Sequence, residues 1–448
     1  MQSDSTRRKR WVLWLAVVAF AECVTAVGRA GPITLVPLAS RPAGPTDQDL
    51  EPAVKKLREG RIDEALVLIR QLTAKHPEWT PAPLILSRLL MSGGQAVPGR
   101  RALERAATEF PDHPEVYLAS GALALGEGRY SDARLNFDAA LGLTGSGKWD
   151  AEHAGFYRRE ALAGLAAVAE AREDWEAARR KLVALLELEP KNGQVRQRLG
   201  AVLFRLDKQE KAFETLKQAV QDTPALEPAA VTMGRLMAQK GNAQKAEEWF
   251  DHALKLEPSS VRVRAARASW LLDQGRAQAA RAEVEEAVKL DPAAREARRL
   301  QGLVAWHLRD LAAAETILDP LYREAPTELA TADLLALCLV DQDDAVKRAR
   351  GLQLAEANAR QSPRSHEAIA TLGWAHYRSG HLDQAEKLLR AAVQGVSVTP
   401  DIAYYLARVL ADKGQSADAR KLLQSASALT GAFAHRDVAI ALLKSLPQ

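Results

Sequence analysis

Between Glu227 and Ser260, apolar and polar positions alternate with the period of a helix, twice over. Val231, Met233, Leu236 and Met237 recur at helical spacing, and Gly241 then stops the run, since glycine takes positive φ at little cost. A second run carries Ala246, Phe250, Ala253, Leu254 and Leu256 on one side. Glu257-Pro258 ends it, because the residue before a proline is pushed out of helical geometry. The small residues Gly234, Ala246 and Ala253 mark where two antiparallel helices can approach closely, with Phe250 filling the space between them. One such hairpin has too little core to stand alone.

The pattern recurs in constant register. The late proline returns as Pro190, Pro224, Pro258, Pro292 and Pro326, and the second-helix alanine as Ala178, Ala212, Ala246, Ala280 and Ala314. On these residues the chain resembles the tetratricopeptide repeat (TPR) family, whose unit is a helix–turn–helix of 34 residues. The resemblance implies an all-α fold, a right-handed α-solenoid of stacked hairpins. About eleven units are expected over residues 46–433, starting at 46, 80, 114, 159, 193, 227, 261, 295, 332, 366 and 400. Those at 80, 159 and 332 match poorly. Residues 148–158 read as an insertion, with Asp150 a candidate N-cap for an elongated helix, and 434–448 as a capping helix. No stretch reads as strand.

Composition adds little until the charge is located. The formal net charge is +4, but Arg7, Arg8, Lys9, Arg10 and Arg29 against Asp4 and Glu22 place +3 of it in residues 1–30. The array is therefore close to neutral, and neither nucleic acid nor nucleotide is an expected partner. The basic cluster precedes the apolar run Trp11–Ala21, which reads as a signal peptide or a signal-anchor transmembrane segment over residues 1–30. Cleavage after Ala26 or Ala30 and retention as an anchor both fit. Either outcome places the array on the extracytoplasmic, periplasmic side of the cell envelope. Residues 31–45, with Pro32, Pro37, Pro42 and Pro45, read as a Pro/Gly-rich linker. Cys23 and Cys338 form no disulfide framework, and Cys338 among leucines reads as core.

Three constellations invite a chemical reading. Gly142–Lys148 has most of a phosphate loop, but a helix precedes it and Trp149 stands where a Mg²⁺-binding hydroxyl is needed. Asp341-Gln342-Asp343-Asp344 is acidic like a calcium loop, yet Val346 and Leu352 occupy its glycine and glutamate positions; a turn between helices is expected. His366, His376 and His381 share one unit without metal-ligand spacing, and His376 and His381 are expected on different faces. No catalytic order, metal site or cofactor is expected, and the chain reads as non-enzymatic.

The resemblance further implies that the first helix of each unit lines the concave groove. The groove positions then include Phe204, Arg205, Arg235, Arg262, Arg299, Trp306, Trp374, Tyr377, Arg378, Tyr404 and Arg408. Such an Arg-and-aromatic wall suits an extended acidic or aromatic peptide. The Lys/Asn clamp with which some relatives hold C-terminal carboxylates is absent: Gln197, Ala201, Val231 and Arg235 stand there instead. The expected function is a non-catalytic scaffold or adaptor of the cell envelope that binds peptide segments of protein partners in its groove. Two alternatives remain open: an accessory subunit of an envelope enzyme complex for polysaccharide synthesis or export or peptidoglycan remodelling, and a cytosolic regulator.

Overall fold

The computed structural model describes residues 44–448 except 77, 78, 364, 395–397, 429, 430 and 448. Residues 1–30, read as signal or anchor, and nearly all of the linker lie outside this set. Among the described residues there are 23 helices and no strand. None of these helices is long and apolar enough to cross a membrane. The chain divides between Leu226 and Glu227 into two compact units.

The first unit holds five hairpins. They are α1 (Asp47–Arg58) with α2 (Ile62–Thr73), α3 (Ala82–Ser92) with α4 (Ala96–Glu109), and α5 (Pro114–Gly126) with α6 (Tyr130–Leu143). After them come α7 (Ala151–Ala171) with α8 (Trp175–Leu188), and α9 (Gly193–Arg205) with α10 (Gln209–Asp222). Asp150 caps α7, its carboxylate accepting the His153 N–H at 2.9 Å. Residues 151–158, read from the sequence as an insertion, form the first two turns of that helix. Phe156 and Tyr157 on these turns are buried, and their apolar contacts are what extend the helix beyond the usual repeat.

The second unit holds six hairpins and a terminal helix. Its pairs begin with α11 (Ala229–Gln239) and α12 (Ala243–Leu256), α13 (Val261–Asp273) and α14 (Ala277–Leu290), and α15 (Arg295–His307) and α16 (Leu311–Glu324). They continue with α17 (Leu329–Val340) and α18 (Ala345–Gln361), α19 (His366–Arg378) and α20 (Leu382–Ala392), and α21 (Pro400–Asp412) and α22 (Ser416–Ala428). The last helix is α23 (Arg436–Ser445).

Several hairpins are closed by one small residue meeting one large one. A Cβ added at Gly234 would sit 3.0 Å from the Phe250 ring, and one at Gly302 would sit 2.6 Å from Leu318. Phe250 and Leu318 are fully buried, so neither can move aside. Ala246 is likewise sealed at 0% exposure. Ala246→Leu should therefore destabilise the α11–α12 region by about 1–3 kcal/mol, because extra volume at a closed helix contact forces strain. A denaturant midpoint equal to that of the parent chain would contradict this packing.

Apart from the one between α17 and α18, the turns inside hairpins use left-handed backbone, supplied by Gly241 at φ 80° and by glycine in most other pairs. In three pairs the residue is Glu173, Asp207 or Arg309, at φ 58°, 56° and 60°. A bulky side chain there is an outlier that asks for a reason. Arg309 has one, given below.

Candidate functional site: the first-helix wall

In the second unit the first helices of consecutive hairpins touch one another: α11 with α13, α13 with α15, and so on to α21. They make a continuous wall that presents side chains from six repeats. The arginines expected on it differ in environment. Arg262 is exposed, Arg235 is exposed and paired with Glu227 at 2.7 Å, and Arg299 pairs with Glu296 at 2.9 Å. Arg378 reaches Asp343 at 3.6 Å. Arg408 donates from Nε to the Tyr377 hydroxyl at 2.9 Å, and that hydroxyl donates to Asp412 at 2.7 Å.

The aromatics expected on the wall are not open. Trp306, Trp374 and Tyr404 are 4%, 2% and 6% exposed. In the first unit Phe204 is 1% exposed. Counting helical positions fixes the angle of a side chain about its own axis, but not whether a neighbouring helix covers that angle. Arg205 lies beside the wall position of Phe204, with its guanidinium 5.7 Å from the Trp175 ring.

What buries the aromatics of the second unit is the chain itself. Residues 431–435, between α22 and α23, leave helical form and lie against the wall, and His435 stands among Trp306, Trp374, Tyr404 and Tyr405. Its ring stacks on Tyr404 with centroids 5.0 Å apart and meets the edges of Trp306 and Trp374 at 5.6 and 5.7 Å. Two buried carboxylates hold it. Nδ1 is 2.7 Å from Asp401 Oδ1, and Nε2 is 3.2 Å from Asp341 Oδ2. Asp341 also accepts the indole N–H of Trp306 at 3.0 Å, that of Trp374 at 2.8 Å, and a bond from Arg309. Asp401 accepts the backbone N–H groups of Ala434 and His435, both at 3.1 Å.

The electrostatics follow from this geometry. Burial opposes charge on Asp341, but the His435 bond, the Arg309 guanidinium and the Trp374 N–H outweigh it and hold the carboxyl well below the usual range. Burial by itself pushes the His435 imidazole down, while its bonds to Asp341 and Asp401 push it up; the net shift is upward. His307, half-buried at the end of α15, is pushed down to about 4, its desolvation outweighing the attraction of Asp401. Two carboxylates, one guanidinium and one imidazole drawn toward its charged form thus make a densely bonded cluster inside aromatic walls.

Sequence reasoning placed Asp341 in a turn between helices, where it is, but missed its role. Asp344 caps α18, accepting the N–H groups of Val346 at 2.8 Å and Lys347 at 3.0 Å, while Asp341 turns inward. A signal did exist: Trp306 and Trp374 lie close to one repeat before and one repeat after Asp341. His376 and His381, expected on different faces, come together with their Nδ1 atoms 3.3 Å apart. The turn between α19 and α20 folds the two residues onto each other. Among the described residues no group of three metal-ligating side chains converges. The phosphate-loop-like stretch follows α6, with no strand before it, and Lys148 pairs with Asp112 at 2.6 Å. Cys338 is buried in the core, its thiol pushed up to about 12 by burial.

Comparison with known proteins agrees with the hairpin architecture. Two tetratricopeptide repeat family models match, one at residues 86–148, 265–328 and 370–432 and the other at 228–260. No curated protein sequence matches significantly. Among solved structures, the chain is similar to a tetratricopeptide repeat protein from Parabacteroides merdae, with 15% identity, 56% of this chain and 98% of that one covered, and a TM-score of 0.43. It is similar to the thermophilic TPR protein TTC0263 of Thermus thermophilus, with 22% identity, 37% and 90% covered, and a TM-score of 0.34. It is also similar to yeast Tom70, with 16% identity, 89% and 94% covered, and a TM-score of 0.37.

Proposed function

Because the chain is a tetratricopeptide repeat protein, built as a protein–protein interaction scaffold, we propose that it holds extended segments of partner proteins against its first-helix wall. The observation that carries this reading is that the wall of the second unit already seats a non-helical piece of polypeptide, residues 431–435. Main-chain N–H groups of that piece are bonded by a wall carboxylate, the kind of contact that does not depend on the occupant's side chains. Arg262, exposed on α13, and Arg299 on α15 extend the wall with cations suited to an acidic or aromatic segment. The role is non-catalytic, and the reading places it in the cell envelope. Arg7–Arg10 followed by an apolar run support an exported array, anchored or released.

Photo-crosslinking in cells tests the reading. A benzophenone amino acid at position 262 should trap discrete protein partners, whereas the same probe at Lys245, exposed on the second helix α12, should not. The crosslinks from position 262 should disappear in an Arg299→Gln background. Equal trapping from both faces would refute a first-helix site. Fractionation bears on the location separately: a wholly cytoplasmic protein would end the envelope reading without touching the wall.

A further inference from the structure

The segment seated on the wall has the features of a ligand. Its imidazole is gripped by Asp341 from the end of α17 and Asp401 from the first turn of α21, with aromatic rings from α15, α19 and α21 around it. Its backbone is gripped separately, through two successive N–H groups on Asp401. Phe433, two positions earlier, packs against Tyr404 at 6.5 Å. At the other end Gly431 lies against the turn after α13, where a Cβ at Gly431 would stand 3.5 Å from the Asp273 carbonyl.

The pocket itself is built at a cost. Arg309 occupies the left-handed turn position that glycine fills in most other hairpins, at φ 60°, and its guanidinium bonds Asp341 and lies 3.1 Å from His435. Glu173 and Asp207 share that backbone, so it is the guanidinium's bond to Asp341 that ties Arg309 to the pocket. Without the imidazole, the pocket would be an aromatic-walled cavity with two carboxylates and one guanidinium, net negative and short of N–H donors. It is complementary to a cation that can donate two hydrogen bonds in opposite directions, which an imidazolium does.

The occupant is not indispensable to the cap that follows it. Ala439 and Leu442 of α23 are buried, and Arg420 of α22 bonds the carbonyl of Pro447 at 2.6 Å, so α23 has contacts of its own beyond its N-cap residue His435.

We propose that the Asp341–Asp401 pocket is a peptide-binding site filled in cis: residues 431–435 are a built-in competitor, and a partner segment carrying an aromatic residue two positions before a protonated histidine displaces them. This rests on the scaffold function proposed above and adds to it the chemistry of the ligand and the element that regulates access. The contribution of Asp401 makes the ligand a peptide rather than a free cation, and the two carboxylates make it cationic at the deep position.

A labelled decapeptide with the sequence of residues 428–437 is the probe, measured by fluorescence anisotropy on the full chain. His435→Gln fills the pocket with a neutral amide of similar size and weakens the competitor. The peptide should bind that variant at least about tenfold more tightly than the wild-type chain. Binding should be lost when the peptide's histidine is replaced by alanine, and lost again on adding Asp401→Asn. Failure to saturate the His435→Gln chain, equal binding to wild type, or indifference to the peptide's histidine would each overturn the proposal. A second measurement guards against misfolding. His435→Gly should lose thermal stability, and millimolar imidazole should restore it by refilling the pocket; no restoration counts against the site. Crosslinks from position 262 that persist when the decapeptide fails would leave the scaffold standing and remove the competitor. A peptide that binds while no crosslinks form would do the reverse.

Discussion

Asp341→Ala should lower the stability of the C-terminal hairpins by about 3–5 kcal/mol, the usual consequence of deleting one member of a buried charge cluster. The Asp341 side chain has 0% exposure and is the common acceptor for two indole N–H groups, a guanidinium and an imidazole. Alanine would strip the acceptor from two buried indole N–H groups and leave His435 held by Asp401 alone, and the indoles cannot turn to water because their rings are packed in the wall. Because a repeat array need not unfold as one piece, the readout should be local. Tryptophan fluorescence during a urea titration reports on Trp306 and Trp374 once the other seven of the nine tryptophans are replaced by phenylalanine. Asp343→Ala is the control. Two residues further on, with a side chain 96% exposed, it should change stability by no more than about 0.5 kcal/mol. If the two variants unfold together, the inward-facing cluster does not hold this part of the fold.

The contrast between Asp341 and Asp343 also shows where a sequence is legible and where it is not. Repeating small-and-large pairs, such as Gly302 with Leu318, recur because every hairpin solves the same local packing problem, and a problem solved repeatedly can be read from its period. The fold was legible on that ground. Acid-rich stretches signal turns, and the segment after α17 is one. Nothing local, however, distinguishes an aspartate facing water from one facing two tryptophans. That depends on which helices lie on either side, and here the partners come from the repeats before and after. Phe204 shows the same limit, since a helical position suited to the wall does not reveal that the side chain is almost fully buried. His435 is the extreme case. Its partner Arg309 is 126 residues away, and the tail that carries it has no repeat to be compared with.

His435 should give the second large effect, and it should depend on pH. Replacing His435 with glutamine removes the counter-charge of two buried carboxylates and should cost on the order of 3 kcal/mol in mildly acidic solution. The direction of the pH dependence follows from the upward shift of the imidazole. A group raised on folding contributes stability in full below its ordinary value of 6.5, and loses that contribution as pH rises through the folded value. The other groups facing the ring do not compete in that window. Asp341 is held ionised, and burial pushes Tyr404 up to about 12 and Tyr405 well above its usual range. Burial pushes His307 down to about 4, below that window. The wild-type midpoint for release of residues 431–435, followed through quenching of Trp306 and Trp374, should therefore decline as the solution is taken from mildly acidic to alkaline. In the His435→Gln chain the same titration should lack that decline, so the two curves converge at high pH. Parallel curves would mean that the imidazole is neutral throughout, and the charge balance of the pocket would have to be assigned to Arg309 alone.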